Sequence, residues 1–401
     1  MIIWKNVVAS EYCSNITDGT HDSPKRTDKG HYLVTSKHIK GHDIDFSNAY
    51  LISDEDYKKI IQRSKVDQWD IIISMIGAYC GYCYVERNSH IDYTIKNVGL
   101  LKTGSEEKAW WLYYYLNSPS GRSMLSNMRA GSTQPYISLT ELRKMIIPVP
   151  DDISRTKIIR VLRAIDVKIE TNEKINENLS QQLRLIFQHT FLDEEHPEWP
   201  VEKLGSFLSL ERGLSYKGKF LSDSEGVPMV NLGNILPNSV FRSEKLKFYT
   251  GDYKAKVIVK PGDIVVANTD LTQAREVLGS AILIPDLGYP TIICSHHISI
   301  VRDCRISKHF IHGMLNSPSY RERVVGFATG TTVLALPSET ILNCEFALPP
   351  NELIVEYDSI AESYYQKSEQ LRKENQQLTQ LRDTLLPQLM SGQLDVSEVS
   401  L

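Results

Sequence analysis

The sequence lacks the features of a membrane or secreted protein. No apolar run approaches the roughly 18 residues that a membrane-spanning helix needs, and residues 1–6 have neither the basic start nor the long apolar stretch of a secretory signal. Only six cysteines occur among 401 residues, too few for a disulfide framework in a chain of this length. We therefore expect a cytoplasmic protein whose cysteines stay reduced.

Catalytic motifs are also missing. Asp193-Glu-Glu-His196 resembles a helicase acidic motif, but no Gly-rich phosphate loop ending in Gly-Lys-Ser/Thr precedes it. An amino-methyltransferase would carry Asn/Asp-Pro-Pro-aromatic, whereas Pro349-Pro350 is preceded by Leu348 and followed by Asn351. No cluster of carboxylates with a nearby lysine points to a nuclease. We predict that this chain has no catalytic residue.

Two stretches with cysteine have spacings that call for comparison with redox or zinc sites. Cys80-Gly-Tyr-Cys83 has the spacing of a thioredoxin-like pair or of half a zinc site, but the sequence contains no second Cys-x-x-Cys. Cys294-Ser-His-His297 with Cys304 matches none of the usual zinc spacings. We predict ordinary packing for both stretches, no metal, and no cofactor bound by this chain.

The charge is unevenly distributed along the chain. The content of 41% hydrophobic and 23% charged residues is typical of a globular protein of more than one domain. The net charge of −4 divides into −3 for residues 151–200, −5 for 351–401, and +2 each for 1–150 and 201–350. The two mildly basic segments are compatible with a polyanionic partner, although binding needs a local patch rather than a basic total.

The chain contains an internal repeat. Leu116-Asn-Ser-Pro-Ser120 recurs as Leu315-Asn-Ser-Pro-Ser319, and Gly131-Ser-Thr133 resembles Gly330-Thr-Thr332. Other matches follow in the same order at offsets between 193 and 200 residues, which is the length of a domain plus a connector. Each copy mixes short β-branched runs with turns and a few helical stretches, as expected of a mixed α/β domain. We predict globular domains at 1–150 and 197–350, a helical spacer at 151–196, and a helix with a tail at 351–401.

Both connectors have the apolar spacing of a long helix that packs along one side. Residues alternate four and three apart, and each connector begins just after a proline. We expect Pro387 and Gly392 to close the second helix. The predicted architecture is therefore mixed α/β (α+β), with two domains separated by two long antiparallel helices in a coiled coil. The predicted seam comprises Ile165, Ile169, Asn172, Asn176, Leu179 and Leu183 on the first helix, and Ile360, Tyr364, Lys367, Leu371, Glu374, Leu378 and Leu381 on the second.

The polar seam residues lie near the middle of each helix. In an antiparallel pair the middles coincide, so Asn172, Asn176, Lys367 and Glu374 are expected to form one polar layer that sets the register. A helix of about 35 residues spans on the order of 50 Å. This length suits a spacer between two modules that contact one duplex about 34–36 Å apart.

The chain resembles the specificity subunits of type I restriction-modification systems over nearly its whole length. The resemblance is carried by residues 131–142 (Gly-Ser-Thr-Gln-Pro-Tyr-Ile-Ser-Leu-Thr-Glu-Leu), 147–150, 157–166, 175–179 and the C-terminal stretch 381–392. It implies two target-recognition domains that each read one half of a bipartite, asymmetric DNA site. It also implies a helical pair that docks two methyltransferase subunits and, in many systems, restriction or translocase subunits, with S-adenosylmethionine and ATP bound by those partners. The second copy departs from the pattern, because residues 330–337 lack the Gln-Pro-Tyr-Ile-Ser of the first.

Loops with polar and basic side chains at matching places of the two copies are the candidates for contact with DNA. Base edges are read by side chains, whereas contacts with phosphates only position the protein. Gln134 and Gln273 could pair with adenine, and Arg129 or Arg275 with guanine. Ordinary solvated turns are the alternative interpretation. The candidates are Lys25, Arg26, Lys29, Lys37, His38, Arg129, Ser132, Thr133, Gln134 and Tyr136 in the first copy, and Tyr216, Lys217, Lys219, Asn231, Asn234, Asn268, Thr269, Gln273, Arg275, Thr331 and Thr332 in the second.

Besides an enzyme with an unrecognised site, two other functions remain open at the level of sequence. The same architecture could serve a methylation-only complex, or one that both cuts and methylates, because a nuclease would lie on another chain. A coiled-coil scaffold with duplicated protein-binding domains is a less favoured alternative. The target sequence, the gap between its halves and the number of subunits do not follow from the residues.

Overall fold

The computed structural model describes residues 3–39, 41, 43–131, 134–270, 275–330 and 334–396, except for the side chain of Asn238. The chain forms two compact units. The first comprises residues 1–170 and 375–401, and the second comprises residues 171–374. Each unit thus combines one globular domain with parts of two long helices.

The first domain contains short strands and helices in alternation. In chain order they are β1 (Trp4–Val8), α1 (Ala9–Tyr12), β2 (Asn15–Asp18), β3 (His31–Val34), β4 (Leu51–Ile52), α2 (Asp54–Ser64), β5 (Asp70–Ser74), β6 (Cys83–Val85), β7 (Tyr93–Ile95), β8 (Val98–Lys102), α3 (Glu106–Asn117), α4 (Pro119–Asn127), α5 (Leu139–Lys144) and β9 (Ile146–Pro150). The long helix α6 (Asp152–Phe191) follows.

The second domain repeats this order with more strands. Its elements are β10 (Val201–Lys203), β11 (Ser209–Arg212), β12 (Leu221–Ser222), β13 (Val227–Val230), β14 (Ile235–Leu236), β15 (Val240–Phe241), β16 (Lys247–Tyr249), β17 (Ile258–Val259), β18 (Ile264–Ala267), β19 (Thr269–Asp270), β20 (Ala281–Leu283), β21 (Ile292–Cys294), β22 (Ile298–Arg302), α7 (Lys308–Met314), α8 (Pro318–Gly326), β23 (Leu334–Ala335), α9 (Ser338–Leu342) and β24 (Glu345–Ala347). The long helix α10 (Asn351–Ser391) follows.

The sheet topology confirms the internal repeat. A four-stranded antiparallel sheet has the order β2-β8-β5-β6 in the first domain and β11-β22-β18-β20 in the second. Each domain also has a mixed sheet with one parallel pair: β4-β3-β7 in the first domain, where β3 and β7 are parallel, and β12-β16-β13-β21-β17 in the second, where β13 and β21 are parallel. The terminal strands pair as β1 with β9 and β10 with β24. The two copies therefore share a fold as well as a sequence pattern.

The repeated Leu-Asn-Ser-Pro-Ser stretch is structural. Ser118 accepts a hydrogen bond from the backbone N–H of Gly121 and caps α4, and Ser317 caps α8 in the same way through Tyr320. Proline follows each cap at the first helical position, where its missing N–H is tolerated. The asparagine before Ser317, Asn316, exchanges two hydrogen bonds with the backbone of Ala281 in β20. The repeat is thus a helix start tied to a neighbouring strand.

Each long helix packs its ends into the cores of the domains. Ile158 and Leu162 of α6, with Leu389 of α10, are buried in the main core of the first unit. In the second unit, Phe187 of α6 and Tyr357 of α10 are buried and meet edge to face. The mixed α/β fold with two long helices is thereby confirmed.

The end of α10 differs from the prediction. The helix continues through Pro387 and ends at Ser391, and Gly392 follows with φ +74°. Glycine suits this left-handed position after a helix, so Gly392 closes α10 as expected, whereas Pro387 does not. Because Pro387 has no N–H, α10 lacks the hydrogen bond to the carbonyl of residue 383, four residues before the helix ends.

Candidate nucleic-acid interface

Matching hairpins carry the Gly-Ser-Thr and Gly-Thr-Thr loops. Ala130 and Tyr136 exchange backbone hydrogen bonds of 2.8 and 2.9 Å, and Thr329 and Ala335 do the same at 3.0 and 2.8 Å. Gly131 and Gly330, at the base of the tips, have φ values of +86° and +105°, which favour glycine. The predicted contact residues Ser132, Thr133, Thr331 and Thr332 lie outside the described residues.

A second loop lies against the first hairpin. The 3₁₀ turn Gly77–Tyr79 follows β5, and the N–H of Gly77 donates a 2.9 Å hydrogen bond to the carbonyl of Pro135. Tyr79 and Tyr82 project from this loop as exposed side chains, with ring centroids 5.7 Å apart. The predicted contact residues Gln134 and Tyr136 are exposed beside them.

Two arginines of this region hold the loop by its backbone. Arg129 Nη2 donates to the carbonyl of Cys80 at 2.6 Å, and Arg122 Nη1 donates to the carbonyl of Gly81 at 3.0 Å. In the second domain Arg275 Nη1 donates to the carbonyl of Val325 at 3.0 Å. Arg129 and Arg275, predicted to contact bases, thus use part of their donor capacity to bond the backbone of neighbouring segments.

The 3₁₀ turns that follow β3 and β13 require a correction. His38 and Asn234 were predicted to contact DNA, but both are buried. His38 Nδ1 accepts the backbone N–H of Thr35 at 2.9 Å, and Asn234 Oδ1 accepts that of Asn231 at 2.8 Å. Each side chain accepts a backbone hydrogen bond inside its own turn, and the two turns are equivalent in the two domains. A buried backbone N–H needs such an acceptor. The neighbouring Lys37 is exposed.

Asn268 and Thr269 also require a correction. Both side chains are buried at the end of β18 and the start of β19. Asn268 Nδ2 donates to Ser299 Oγ at 3.1 Å, and Thr269 Oγ1 lies 2.9 Å from His297 Nδ1. The polarity of Asn268 and Thr269 predicted a loop that contacts DNA bases. In the structure, their side chains instead form hydrogen bonds that join neighbouring strands. The adjacent Gln273 lies outside the described residues.

The remaining candidates differ in exposure. Tyr216 is half-buried, with its ring 5.4 Å from that of His296, and Asn231 is half-buried with its Nδ2 donating to the carbonyl of Lys245 at 2.9 Å. The other basic candidates have exposed side chains that are available to phosphates. These are Lys25, Arg26, Lys29, Lys37, Lys217 and Lys219.

Two neighbouring histidines of the second domain lie close together. The rings of His296 and His297 lie 4.0 Å apart in the turn between β21 and β22. Burial lowers the pKa of both, and the Arg212 charge adds to this effect. Both imidazoles are therefore favoured in the neutral form, which can donate and accept hydrogen bonds. Among the described residues, no group of three or more His, Cys, Asp or Glu side chains could hold a metal ion.

The cysteines pack as apolar groups. Cys80, Cys83 and Cys294 are buried, and each is a free thiol. Burial raises the pKa of all three thiols, that of Cys83 to about 11. A protonated, buried thiol is a poor nucleophile and a poor metal ligand.

Contacts inside each unit show that α6 and α10 run antiparallel. In the first unit Arg382 Nη1 lies 3.2 Å from Asp166 Oδ1, and Asn375 Nδ2 donates to the carbonyl of Ile169. In the second, Tyr364 Oη donates to Gln182 Oε1 at 3.3 Å. Residue numbers fall along α10 as they rise along α6, which defines an antiparallel pair.

The predicted seam is correct in phase on α6 and shifted in part on α10. On α6, Ile165, Ile169 and Asn172 are buried, and Asn176, Leu179 and Leu183 are half-buried. On α10, Leu371 is buried and Ile360, Tyr364, Glu374 and Leu378 are half-buried, but Lys367 and Leu381 are exposed.

The shift on α10 has a simple cause. The inward positions three or four residues from Tyr364, Leu371 and Leu378 hold small or polar side chains. These are Ala361, Ser368, Asn375 and Arg382. An apolar pattern therefore pointed to their neighbours, one residue away. Asn172 and Glu374 do meet as predicted, whereas Lys367 bonds Gln370 on its own helix instead of joining a polar layer.

Ion pairs attach the helices to the domains. In the first unit Arg87 lies 2.7 Å from Glu170 of α6, and Arg163 lies 3.3 Å from the same carboxylate and 3.8 Å from the ring centroid of Trp110. Burial alone would raise the pKa of Glu170, but the two guanidinium groups hold it below its usual range. This α6 surface is therefore fixed to its domain by charge as well as packing.

The second unit attaches α10 to its domain instead. His309 lies 2.8 Å from Glu362, and Lys373 lies 2.8 Å from Asp286. The Lys373 ammonium holds the pKa of Asp286 below its usual range, and His309 does the same for Glu362. The two copies thus use opposite long helices for the same purpose, as expected from the internal repeat.

The described helices include none that is long and apolar enough to span a membrane.

The chain is thus a protein built from two copies of one mixed α/β domain, each combined with parts of two long helices. Residues 22–181 match the family described as type I restriction modification DNA specificity domain. The resemblance to type I specificity subunits, predicted from the sequence motifs, is thereby confirmed, and curated relatives agree with it.

Two curated relatives come from Methanocaldococcus jannaschii. The chain is 24% identical over 312 residues to the MjaIX type I restriction enzyme specificity subunit. This match covers 72% of the chain and 70% of the relative. It is 22% identical over 395 residues to the MjaVIII specificity subunit, covering 92% and 90%. The crystal structure of the type I restriction-modification S subunit from M. genitalium has a TM-score of 0.54 at 17% identity and covers 97% of this chain and 96% of that one. This structure shares the fold.

Proposed function

We propose that this chain is the DNA sequence-specificity subunit of a type I restriction-modification complex. It recognises a bipartite, asymmetric site and recruits the subunits that carry out the chemistry. The observation that carries this proposal is the DNA specificity domain at residues 22–181, in a chain whose second half repeats the same strand order.

The difference between the loops supports an asymmetric target. After the Gly-Ser-Thr of the first hairpin comes Gln134-Pro135-Tyr136, whereas Val333-Leu334-Ala335 follows the Gly-Thr-Thr of the second. Side chains with unlike donors and acceptors select unlike base edges. A shared fold with different loops therefore suits two different half-sites.

The partner subunits are part of this proposal. Adenine methylation with S-adenosylmethionine and ATP-driven restriction would be supplied by methyltransferase and restriction subunits, which dock on α6 and α10. This chain would contribute recognition rather than catalysis. Because its target is genomic DNA, we expect the complex in the cytoplasm.

The test is to express the chain with the methyltransferase subunits encoded beside it and to map N6-methyladenine in the host genome. We expect one split motif to be methylated, and the purified complex to bind it more tightly than a random duplex. Binding to the random duplex should weaken steeply with salt. Equal binding to all duplexes, or methylation without a common motif, would contradict the proposal and favour a protein-binding scaffold.

Lys37 offers a sharper variant with a matched control. Lys37→Ala should weaken binding to every duplex and lower the slope of log affinity against log salt by about one, as expected for one phosphate contact. Lys5 is also an exposed lysine of the first domain, but it lies on β1, which pairs with β9 next to the start of α6. Lys5→Ala should leave the slope unchanged.

The neighbouring genes would separate this proposal from its close variants. A restriction subunit gene supports a full restriction system. Its absence favours a methylation-only complex, and a fused nuclease favours a complex that both cuts and methylates.

A further inference from the structure

The first domain exposes a cluster of three tyrosines beside its reading hairpin. Tyr79 is 36%, Tyr82 43% and Tyr136 46% exposed. Tyr136 follows the hairpin tip, and a β-bridge joins it to Ile76 at the start of the loop that carries Tyr79 and Tyr82. These three residues are called the tyrosine cluster below.

The loop that carries Tyr79 and Tyr82 is held by its own backbone. The N–H groups of Cys80 and Tyr82 donate to the carbonyls of Gly77 and Tyr79, at 3.0 and 2.9 Å. The end of the loop also bonds to β5, through Ser74 N–H to the carbonyl of Tyr82 at 2.7 Å and Gly81 N–H to the carbonyl of Ser74 at 2.8 Å. An ordered loop presents its side chains with little loss of entropy on binding.

Guanidinium groups brace the loop from the other side. Arg129 and Arg122 bond the carbonyls of Cys80 and Gly81, and the Arg122 guanidinium also lies 5.4 Å from the centroid of the Tyr82 ring. The tyrosine rings are thus held beside Gln134. The amide nitrogen of Gln134 lies 3.9 Å from the position that a Cβ atom on Gly77 would occupy. Aromatic and amide groups therefore share one small surface.

We propose that the tyrosine cluster selects the half-site of the first domain by apolar contact with the C5-methyl groups of thymine. In the major groove this methyl group is the apolar feature that separates thymine from cytosine, and apolar side chains contact it. The major-groove edge of an A·T base pair carries both the thymine methyl group and the adenine groups with which a glutamine can pair. The exposed tyrosine rings next to Gln134 match such an edge. The proposal rests on the DNA-specificity function and names the chemical group that one domain reads.

The test uses the complete complex and a synthetic duplex of the methylated motif. Each thymine is replaced in turn by deoxyuridine, which removes only the methyl group, and the Kd is measured for each duplex. We expect one or two replacements in one half-site to weaken binding about fourfold each, the effect of exposing one methyl group. Replacements in the other half-site should act independently of the cluster.

Variants connect the effect to the cluster. In Tyr79→Ser, Tyr82→Ser and Tyr136→Ser we expect weaker binding to the thymine duplex and loss of the penalty for deoxyuridine at the contacted position. Tyr32→Ser is the matched control, because Tyr32 is a 39% exposed tyrosine of the same domain that packs against Phe46. It should keep the full deoxyuridine penalty. Thermal unfolding of each variant checks that the domain stays folded.

The outcomes separate the two proposals. A wild-type complex that prefers no duplex contradicts the specificity function itself. A wild-type complex that binds its motif, but whose deoxyuridine penalties persist unchanged in all three variants, overturns the tyrosine cluster alone. So does a motif that has no methyl-dependent thymine in either half-site.

Discussion

Asn172 of α6 donates a 2.8 Å hydrogen bond from Nδ2 to Oε2 of Glu374 on α10. Asn172 is fully buried, so this contact places a polar pair inside the seam between the two helices. Polar pairs of this kind are best known for setting the register of paired helices at some cost in stability.

The Asn172–Glu374 pair gives a prediction for stability. Glu374→Leu removes this acceptor from a buried amide and should lower the free energy of unfolding by about 1–3 kcal/mol. The double variant Asn172→Leu/Glu374→Leu should recover most of that loss, because neither polar group is then buried alone. Denaturant unfolding of the four proteins of this cycle measures the coupling. Additive single effects would show that the contact contributes nothing.

A second prediction concerns the attachment of α6 in the first unit. Asp166 accepts a 2.5 Å hydrogen bond from Tyr114 Oη and pairs with Arg382 Nη1 at 3.2 Å. Asp166→Ala leaves both partners without this carboxylate in a mostly buried place, so we expect a loss of about 2–4 kcal/mol in the free energy of unfolding. Asp383 contacts the same arginine but is 60% exposed. Asp383→Ala should therefore change stability by less than about 1 kcal/mol, and similar losses in the two variants would argue against burial as the cause.

The pH dependence of stability gives a third prediction. Burial on α7 lowers the pKa of His312 to about 4 from an ordinary value near 6.5. Between these values the unfolded chain binds a proton at His312 and the folded chain does not, so stability falls as the pH falls through this window. His312→Gln should flatten the curve of unfolding free energy between pH 6.5 and 4 by roughly 2 kcal/mol. The exposed His90 serves as the control, and His90→Gln should leave the curve unchanged.

The hairpin glycine provides a fourth prediction. A Cβ on Gly131 would lie 2.7 Å from the carbonyl oxygen of Gln134, and φ is +86°. Gly131→Ala should distort the hairpin that presents Gln134 and Tyr136, weakening binding to the specific duplex about tenfold or more, in the range of one lost base contact. Gly104 also has positive φ, +73°, but nothing lies within 4 Å of its Cβ position. Gly104→Ala should cost about 1 kcal/mol in stability without changing the preferred sequence. If both variants bind alike, the hairpin geometry does not matter for recognition.

The helical pair leads to a fifth prediction. Deleting residues 171–177 of α6 and 374–380 of α10 removes one heptad from each helix and keeps the seam in phase. Seven residues correspond to roughly 10 Å along a helix, or about three base pairs. The gap between the two half-sites of the methylated motif should change by that amount. A methylation map with the original gap would rule out the helices as the spacer.

Much of the fold could be predicted from the residues. The recurrence of Leu-Asn-Ser-Pro-Ser indicated two domains, and the caps Ser118 and Ser317 show why the stretch recurs: the same helix start is built twice. Apolar spacing predicted both long helices, because a buried stripe must repeat at helical intervals. Local rules of this kind depend on neighbouring residues alone.

The candidate site was less predictable. Composition favoured His38, Asn234 and Asn268, yet their polar groups serve buried backbone and strand contacts. Tyr79 and Tyr82 gave no signal of their own, since a tyrosine is as common inside a protein as on its surface.

The sequence by itself determined the two-domain repeat, the long helices and the family resemblance, because capping, periodicity and motif order are written in residues close together in the chain. Only the tertiary structure decided which polar side chains face solvent, that Ser368 and Arg382 rather than Lys367 and Leu381 lie inward on α10, and that Tyr136 meets the loop of Tyr79. Those outcomes depend on contacts between residues far apart in the chain, which no local pattern specifies.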